Sequence, residues 1–296
     1  MRTYAFVTVD VFTDRRFGGN PLAVFPDAQG LSDVEMQALA TELNLSETTF
    51  VLPPEKPEHT ARVRIFTRTA ELPFAGHPNV GTAFVLATGG RVASEPLAFE
   101  ERAGLVTVEL QRDTAAAVVG ATIEAPRPLF LGEEVPANTV ARCVGLASED
   151  VLVTTHAPVW ASVGNPFVIA EVTPEALRRA VPDLRQFRDA IARRPTADGR
   201  WSIFVYARDG SLLRARMFAP LSGTIEDPAT GSANAPLGAL LLARGSGDHA
   251  SYEIMQGVEM GRPSLLHVTA RRAADGIRAT VGGRCVPVFQ GEVTLD

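Results

Sequence analysis

Hydrophobic and polar positions alternate with a period of two in many short segments of this chain, which is the pattern of strands that bury one face. A capping-box pattern, Ser32 with Glu35, predicts an amphipathic helix that runs to about residue 43. Helices are also predicted at 174–180 and 184–193. Strands are predicted at 4–11, 22–25, 48–52, 62–67, 104–110, 201–207, 212–218, 252–255, 265–270, 277–281 and 286–293. Many strands with few helices indicate an α/β (α+β) fold.

A loop followed by an almost wholly apolar helix occurs twice. Residues 73–79 (PFAGHPN) and 228–234 (PATGSAN) match at an offset of 155 positions, and apolar helices are predicted at 80–87 and 235–243. A helix that is apolar all round is a buried helix. The repeat therefore predicts two pseudo-symmetric domains, each a curved mixed sheet wrapped around a buried central helix.

The pattern restarts after Gly120, with a proline-rich connection at 125–128. The last strand is expected to return to the first half. The predicted domains are residues 1–120 with 284–296, and residues 121–283, with the active site in the cleft between them. Two glycine loops at helix N-termini would make this cleft suitable for an anion.

Composition and charge narrow the classes of function. The 296 residues carry a net charge of −6, which argues against a nucleic-acid partner. No apolar run approaches the ~20 residues that span a bilayer, and Asp10 comes too early for a signal peptide. Cys143 and Cys285 are expected to be small apolar fillers in a reducing compartment. We expect a cytoplasmic protein without a membrane partner.

Motifs for nucleotide cofactors, metals and serine hydrolysis are missing, so cofactor-free acid–base chemistry is the type of reaction that remains. The sequence has no nucleotide-binding glycine loop, no spaced metal ligands and no serine-hydrolase elbow. Its single lysine, Lys56, lies in a proline-rich loop, which disfavours a Schiff base. We therefore expect neither a cofactor nor a metal.

Three ionisable residues border these loops or a change from helix to strand, namely Glu47, His77 and Asp227. His77 aligns with Ser232 in the repeat, as if the two walls of a site had specialised. A simpler interpretation exists for each: Glu47 would be an exposed carboxylate, His77 an ordinary first-turn histidine, and Asp227 the start of an Asp-Pro turn. Thr230 and Ser232 could be N-caps and nothing else.

Four arginines lie at alternate positions in the strands that precede the two loops. Alternate positions of a strand share one face of the sheet. We therefore expect the side chains of Arg62 and Arg64 to form one solvent-exposed row, and those of Arg214 and Arg216 to form another.

Five segments together give the chain a family resemblance: GGNPLAVF (18–25), NLSETTFV (44–51), ELPFAGHP (71–78), EDPATGSA (226–233) and QGVEMGRPS (256–264). With these the chain resembles the phenazine-biosynthesis isomerase family (PhzF-like), within the diaminopimelate-epimerase fold. The resemblance implies a homodimer, no cofactor, and isomerisation of a small carboxylate such as trans-2,3-dihydro-3-hydroxyanthranilate.

The resemblance also implies roles for individual residues. Glu47 becomes the catalytic acid–base, accompanied by His77 and Asp227. The expected substrate-binding residues are Asn20, Ser46, Gly76, Thr230, Gly231 and Ser232. Related racemases use a cysteine in each glycine loop, and these loops have none, so thiol racemisation is not expected. An epimerase or racemase of an amino-acid-like substrate, or a non-catalytic dimer that binds small anions, remain the alternatives.

Overall fold

A computed structural model describes residues 1–196 and 199–296 of the chain. It contains two compact units, residues 1–124 with 282–296 (the first unit) and residues 125–281 (the second unit). Among the helices described, none combines the length and the apolar character needed to cross a membrane.

The first unit is a closed ring of eight strands. Its strands, with a short extra strand β5, are β1 (Arg2–Val11), β2 (Asn20–Phe25), β3 (Glu47–Leu52), β4 (Ala61–Phe66), β5 (Glu71–Leu72), β6 (Leu97–Glu101), β7 (Gly104–Arg112), β8 (Val118–Glu124) and β18 (Gly276–Leu295), the last of which begins in the second unit. Pairing runs β1–β2–β3–β4–β6–β7–β8–β18 and closes by antiparallel pairing of β18 with β1. The pairs β2–β3 and β4–β6 are parallel, so the sheet is mixed.

Helix α2 (Gly76–Thr88) lies against strands β1, β2, β3, β7 and β8 of this ring. Its residues 76–86 are all buried, as expected of a helix that is apolar on every side. Gly81 permits the close approach, because a Cβ there would lie 2.6 Å from the Leu22 side chain. The amphipathic helix α1 (Asp33–Leu43) begins with the capping box of Ser32 and Glu35 and covers the outside of the sheet through Met36, Leu39 and Ala40.

The second unit repeats this plan with a second mixed sheet. Its strands are β9 (Phe130–Glu134), β10 (Val151–Leu152), β11 (Val159–Ser162), β12 (Pro166–Val172), β13 (Ile203–Asp209), β14 (Leu212–Ala219), β15 (Thr224–Asp227), β16 (His249–Gln256) and β17 (Ser264–Ala273). The main pairing is β9–β11–β12–β13–β14–β16–β17, with β12–β13 and β14–β16 parallel. Helix α6 (Gly231–Arg244) packs against β11, β12, β16 and β17 and is buried along residues 233–242.

Three further helices belong to the second unit, α3 (Ala137–Cys143), α4 (Pro174–Arg179) and α5 (Leu184–Arg193). They cover the sheet over a core that includes Phe187, Trp201 and Phe218. Both cysteines are free and buried, as expected of apolar fillers, and burial raises the pKa of the Cys143 thiol to about 12.

The predicted fold class and the two buried helices are confirmed. A hairpin turn at Asp209 and Gly210 joins β13 to β14, with Gly210 at φ +63°. Segments without an expected element turn out to contain β5, β6, β8, β9, α3, β10, β11, β12 and β15. The strands expected at 277–281 and 286–293 are one continuous strand, β18.

Candidate functional site

In the first unit, Glu47 and His77 lie next to each other. Glu47 is the first residue of β3, and its side chain is only 18% exposed, so the interpretation as a solvated carboxylate is wrong. His77 is the second residue of α2 and is buried, and its Nε2 lies 3.6 Å from a carboxylate oxygen of Glu47. Strand β3 and the start of α2 thus bring a carboxylate and an imidazole together.

The surroundings of His77 fix its protonation state. Burial lowers the pKa of His77 to about 3, although a hydrogen bond from the ring to the Pro21 carbonyl partly opposes this shift. Nε2 has no hydrogen-bond partner among the described residues. The ring proton therefore belongs on Nδ1, facing Pro21, and Nε2 is a lone-pair acceptor facing Glu47.

Asn20 and Ser46 form a second polar contact in the same unit. Ser46 precedes Glu47, and its hydroxyl donates to Oδ1 of the fully buried Asn20 at 2.9 Å. Since Asn20 and Glu47 begin the parallel strands β2 and β3, these side chains lie at one edge of the sheet. Gly76, also predicted as a site residue, begins α2 one position before His77.

In the second unit, Asp227 ends β15, Thr230 lies in the short loop that follows, and Gly231 and Ser232 begin α6. Asp227 is 8% exposed, and the Thr230 hydroxyl donates to its carboxylate. Thr230 occupies the N-cap position, but its hydroxyl is used by Asp227 and does not cap the helix. The interpretation of Thr230 as a side-chain cap is therefore wrong, and Ser232 is not the N-cap residue because it is the second residue of α6.

Gln256, at the end of β16, holds this loop in place and was not among the predicted site residues. It is fully buried, and its amide nitrogen donates to the Asp227 carbonyl at 2.8 Å and to Oγ1 of Thr230 at 3.1 Å. Its amide oxygen accepts from the Thr230 N–H at 3.1 Å and from Asn234 at 2.8 Å. The only signal in the sequence was its place at the start of the 256–264 motif.

Both repeat helices begin without a side-chain cap. Ala75 and Thr230 are the N-cap residues, and neither caps its helix through its side chain. In each helix a buried asparagine, Asn79 or Asn234, instead donates back to the N-cap carbonyl, at 2.9 and 2.8 Å. Uncapped first-turn N–H groups and the helix dipole favour an anion.

An arginine–glutamate pair joins the two strands that precede each glycine loop. Arg64 binds Glu71 through two hydrogen bonds of 2.8 and 2.9 Å, and Arg216 binds Glu226 through two of 2.8 Å. Arg216 is 6% exposed and also donates to the carbonyls of Leu177 and Ala180. The expectation of solvated arginine rows is therefore wrong for this residue, because a bidentate carboxylate makes its burial favourable.

Comparisons with known proteins identify the family of the chain. Residues 9–291 match the family described as "Phenazine biosynthesis-like protein". The trans-2,3-dihydro-3-hydroxyanthranilate isomerase of Pseudomonas chlororaphis is 37% identical over 296 residues, covering 98% of this chain and 99% of that protein.

Two solved structures show the same fold. A phenazine biosynthesis protein of the PhzF family from Bacillus anthracis superposes with a TM-score of 0.88 at 24% identity, covering 100% of both chains. A predicted epimerase from Pseudomonas aeruginosa gives a TM-score of 0.79 at 32% identity, covering 99% of this chain and 100% of that one. These likenesses confirm the predicted epimerase-type fold.

Proposed function

Because the chain belongs to the phenazine biosynthesis-like family of isomerases, we propose that it isomerises a small carboxylate without a cofactor. Glu47 takes a proton from one carbon of the substrate and returns it at another. Glu47 carries the proton between the two transfer steps, no electrons are gained or lost, and the double bond shifts between the two carbons. The related Pseudomonas isomerases make a dihydro-hydroxyanthranilate the first substrate to test.

The observation that carries this proposal is the largely buried carboxylate of Glu47 beside the neutral ring of His77. Once Glu47 has taken the proton, its O–H can donate to the lone pair on Nε2, which has no other partner among the described residues. Protonated Glu47 is thereby stabilised between the two transfer steps. A neutral imidazole does this without competing for the proton, because the pKa of His77 is about 3.

The substrate carboxylate is assigned to uncapped helix N–H groups. Gly76 begins α2, and Gly231 and Ser232 begin α6, and both helices lack a side-chain cap. Donors fixed in position stabilise negative charge that moves towards the carboxylate as the proton leaves. Asp227, Thr230, Asn20 and Ser46 are assigned to the amino and hydroxyl groups of the substrate.

Glu47→Gln is the first test. The amide cannot carry a proton between carbons, so kcat should decrease by about 10²–10⁴-fold, the usual contribution of a general acid–base. Substrate should still raise the melting temperature, because the binding groups remain. Turnover of trans-2,3-dihydro-3-hydroxyanthranilate, followed by absorbance, and thermal melting measure the two effects.

The matched control is Glu42→Gln, which removes an exposed carboxylate five positions earlier at the end of α1. It should leave both kcat and melting unchanged. Normal turnover by Glu47→Gln would refute the assignment of Glu47. In deuterated water the wild-type product should carry deuterium at the reprotonated carbon, at least in part.

Epimerisation is the second candidate, because the Pseudomonas aeruginosa structure is described as that of a predicted epimerase. It needs a second base that returns the proton to the same carbon on its opposite face. His77 suits this poorly, because a pKa of about 3 makes it a weak base at neutral pH. Chiral chromatography of the product separates the two reactions, since only an epimerase interconverts stereoisomers of one connectivity.

A further inference from the structure

A cavity of about 350 Å³ lies in the second unit, and none of its lining residues is assigned to the reaction. Its walls come from α3 and α5 with the residues next to them, and from Trp201 shortly before β13. A volume of this size matches a small organic molecule. The site assigned above uses β15, α6 and β16 of this unit, so the cavity calls for a separate explanation.

Three guanidinium groups of described residues line the cavity, and two of them have no partner among those residues. Arg194 donates to the Glu134 carbonyl at 2.8 Å and lies 3.5 Å from the Glu133 carboxylate. Arg142 and Arg193 make no hydrogen bond or ion pair with any residue of 1–196 or 199–296. Among the described residues of the wall, Asp189 is the one carboxylate against three cations, so an anion would be attracted.

A buried hydrogen-bond donor lies in the same wall. Trp201 is 1% exposed, and its indole N–H has no acceptor within the described part of the chain. Buried polar groups in native proteins nearly always have a partner, and an exception commonly indicates a missing ligand or water. The cavity thus combines unpaired guanidinium groups, an unpaired N–H and apolar walls from Val135 and Ala190.

We propose that this cavity binds a small organic oxyanion, with its carboxylate or phosphate group between Arg142 and Arg193. Guanidinium groups bind either oxyanion through paired hydrogen bonds, which a lysine could not reproduce. The organic part of the ligand packs on Trp201 and the apolar wall. This site is separate from the substrate site and does not depend on the proposed reaction.

Tryptophan fluorescence tests the proposal directly. The chain has two tryptophans, Trp160 and Trp201, and their rings pack edge to face with centroids 5.1 Å apart. Every tryptophan signal therefore originates at or beside the cavity. Titration with phenyl phosphate, benzoate and inorganic phosphate should change the emission, and benzyl alcohol, which lacks the charge, should not.

Arg142→Ala and Arg193→Ala should each weaken binding roughly tenfold to a hundredfold, the loss expected for a hydrogen bond to a charged group. Both side chains are exposed, so thermal melting should show that the fold is kept. Arg188→Ala, an exposed arginine of α5 outside the cavity wall, is the matched control and should bind as the wild type does.

The two kinds of oxyanion are distinguished by comparing phenyl phosphate with benzoate. Tighter binding of either one supports the site and identifies the preferred charged group. Unchanged emission with all three anions at 10 mM would overturn the proposal, and so would equal affinity in Arg193→Ala and Arg188→Ala. Glu47→Gln should leave the titration unaffected, which separates this result from the outcome for the reaction.

Discussion

Glu101, the last residue of β6, is a carboxylic acid in an environment that keeps it protonated. Both of its carboxyl oxygens are buried and lack a hydrogen-bond partner among the described residues. Burial raises the pKa of Glu101 to about 8, although the neighbouring Asn79 side chain partly lowers it. Oδ1 of Asn79 is likewise buried without a partner. A protonated Glu101 can donate to this atom, at the N-terminal end of the helix that carries His77.

Glu101→Gln should stabilise the protein at pH 8 and change little at pH 4. In the unfolded chain the carboxyl ionises near its ordinary pKa of 4.5, but in the folded chain only near 8. The contribution of Glu101 to stability is therefore complete below pH 4.5 and decreases as the pH rises to about 8. Urea unfolding at several pH values should show that the variant's gain in free energy of unfolding over the wild type increases from pH 4.5 to about pH 8.

The neighbouring Glu100 provides a control of opposite sign. Desolvation opposes its ionisation, but N–H groups of Glu55 and Lys56 and the His59 ring hold the pKa of Glu100 down to about 2. Its contribution to stability is present above pH 4.5 and lost as the pH falls to 2. Glu100→Gln should therefore destabilise the protein at neutral pH. A Glu101→Gln variant that was equally unstable at pH 8 would contradict the assigned protonation state.

Individual residues could be predicted from the sequence only where a repeat or a motif marked them. Glu47 and His77 were found in this way, and the structure places them 3.6 Å apart. Gln256 was missed because its bonds to the Asp227–Asn234 loop cross 22 to 29 positions. Glu101 was missed because its burial depends on the packing of α2 against the sheet.

Strands β5 and β15, which lead into the two glycine loops, are short and depend on the arginine–glutamate pairs. Strand β15 has four residues and pairs with β14 at Met217–Asp227 and Ala219–Thr224. Arg216 on β14 binds Glu226 across this ladder. The ion pair therefore fixes the strand that ends at Asp227, and with it the start of the loop.

Arg216→Met should destabilise the protein by about 3 kcal/mol, because it leaves the Glu226 carboxylate buried without its partner. The double variant Arg216→Met with Glu226→Gln should recover part of this loss, since the remaining group is neutral. Urea unfolding measures both values.

Arg278→Ala is the matched control, because it breaks a more exposed pair with Asp275 and should cost less than about 1 kcal/mol. Equal decreases in the free energy of unfolding for Arg216→Met and Arg278→Ala would show that the buried pair does not stabilise β15.

Elements with strong local signals were predictable, and the others depend on the assembled sheet. Helix α1 has a complete capping box, and α5 begins after Asp183, whose side chain accepts from two N–H groups. Strand β12 starts at a proline and is buried at every later position, so its sequence shows no alternation. Its assignment depends on the neighbours β11 and β13, which the sequence does not place beside it.

At the scale of the whole molecule, the first unit is built from both ends of the chain. Strand β18 pairs with β1 along ten positions, from Arg2–Leu295 to Val11–Cys285, and also with β8. Without this strand the ring is open, and both β1 and β8 present an unpaired edge. The sequence suggested the return of the last strand, but only the structure gives its register.

Residues 1–124 alone should therefore fold poorly, whereas residues 282–296 joined ahead of them by a short glycine-containing linker should fold. The register places Leu295 beside Arg2, so a hairpin loop of about four residues can connect residue 296 to residue 1. Circular dichroism and thermal melting of the two proteins measure the difference. Equal melting temperatures would show that the ring is stable without β18.

The order of synthesis on the ribosome differs from the order in which the units can be completed. Residues 125–281 emerge as one uninterrupted stretch, but the first unit needs residues 282–296. At about 5–20 residues per second, synthesis of residues 125–296 takes roughly 10–35 seconds, so β8 waits about this long for its last partner and β1 waits longer. The part of the protein that is translated second is therefore the first that can finish folding, and the exposed edges of β1 and β8 are where nascent chains would need protection by chaperones.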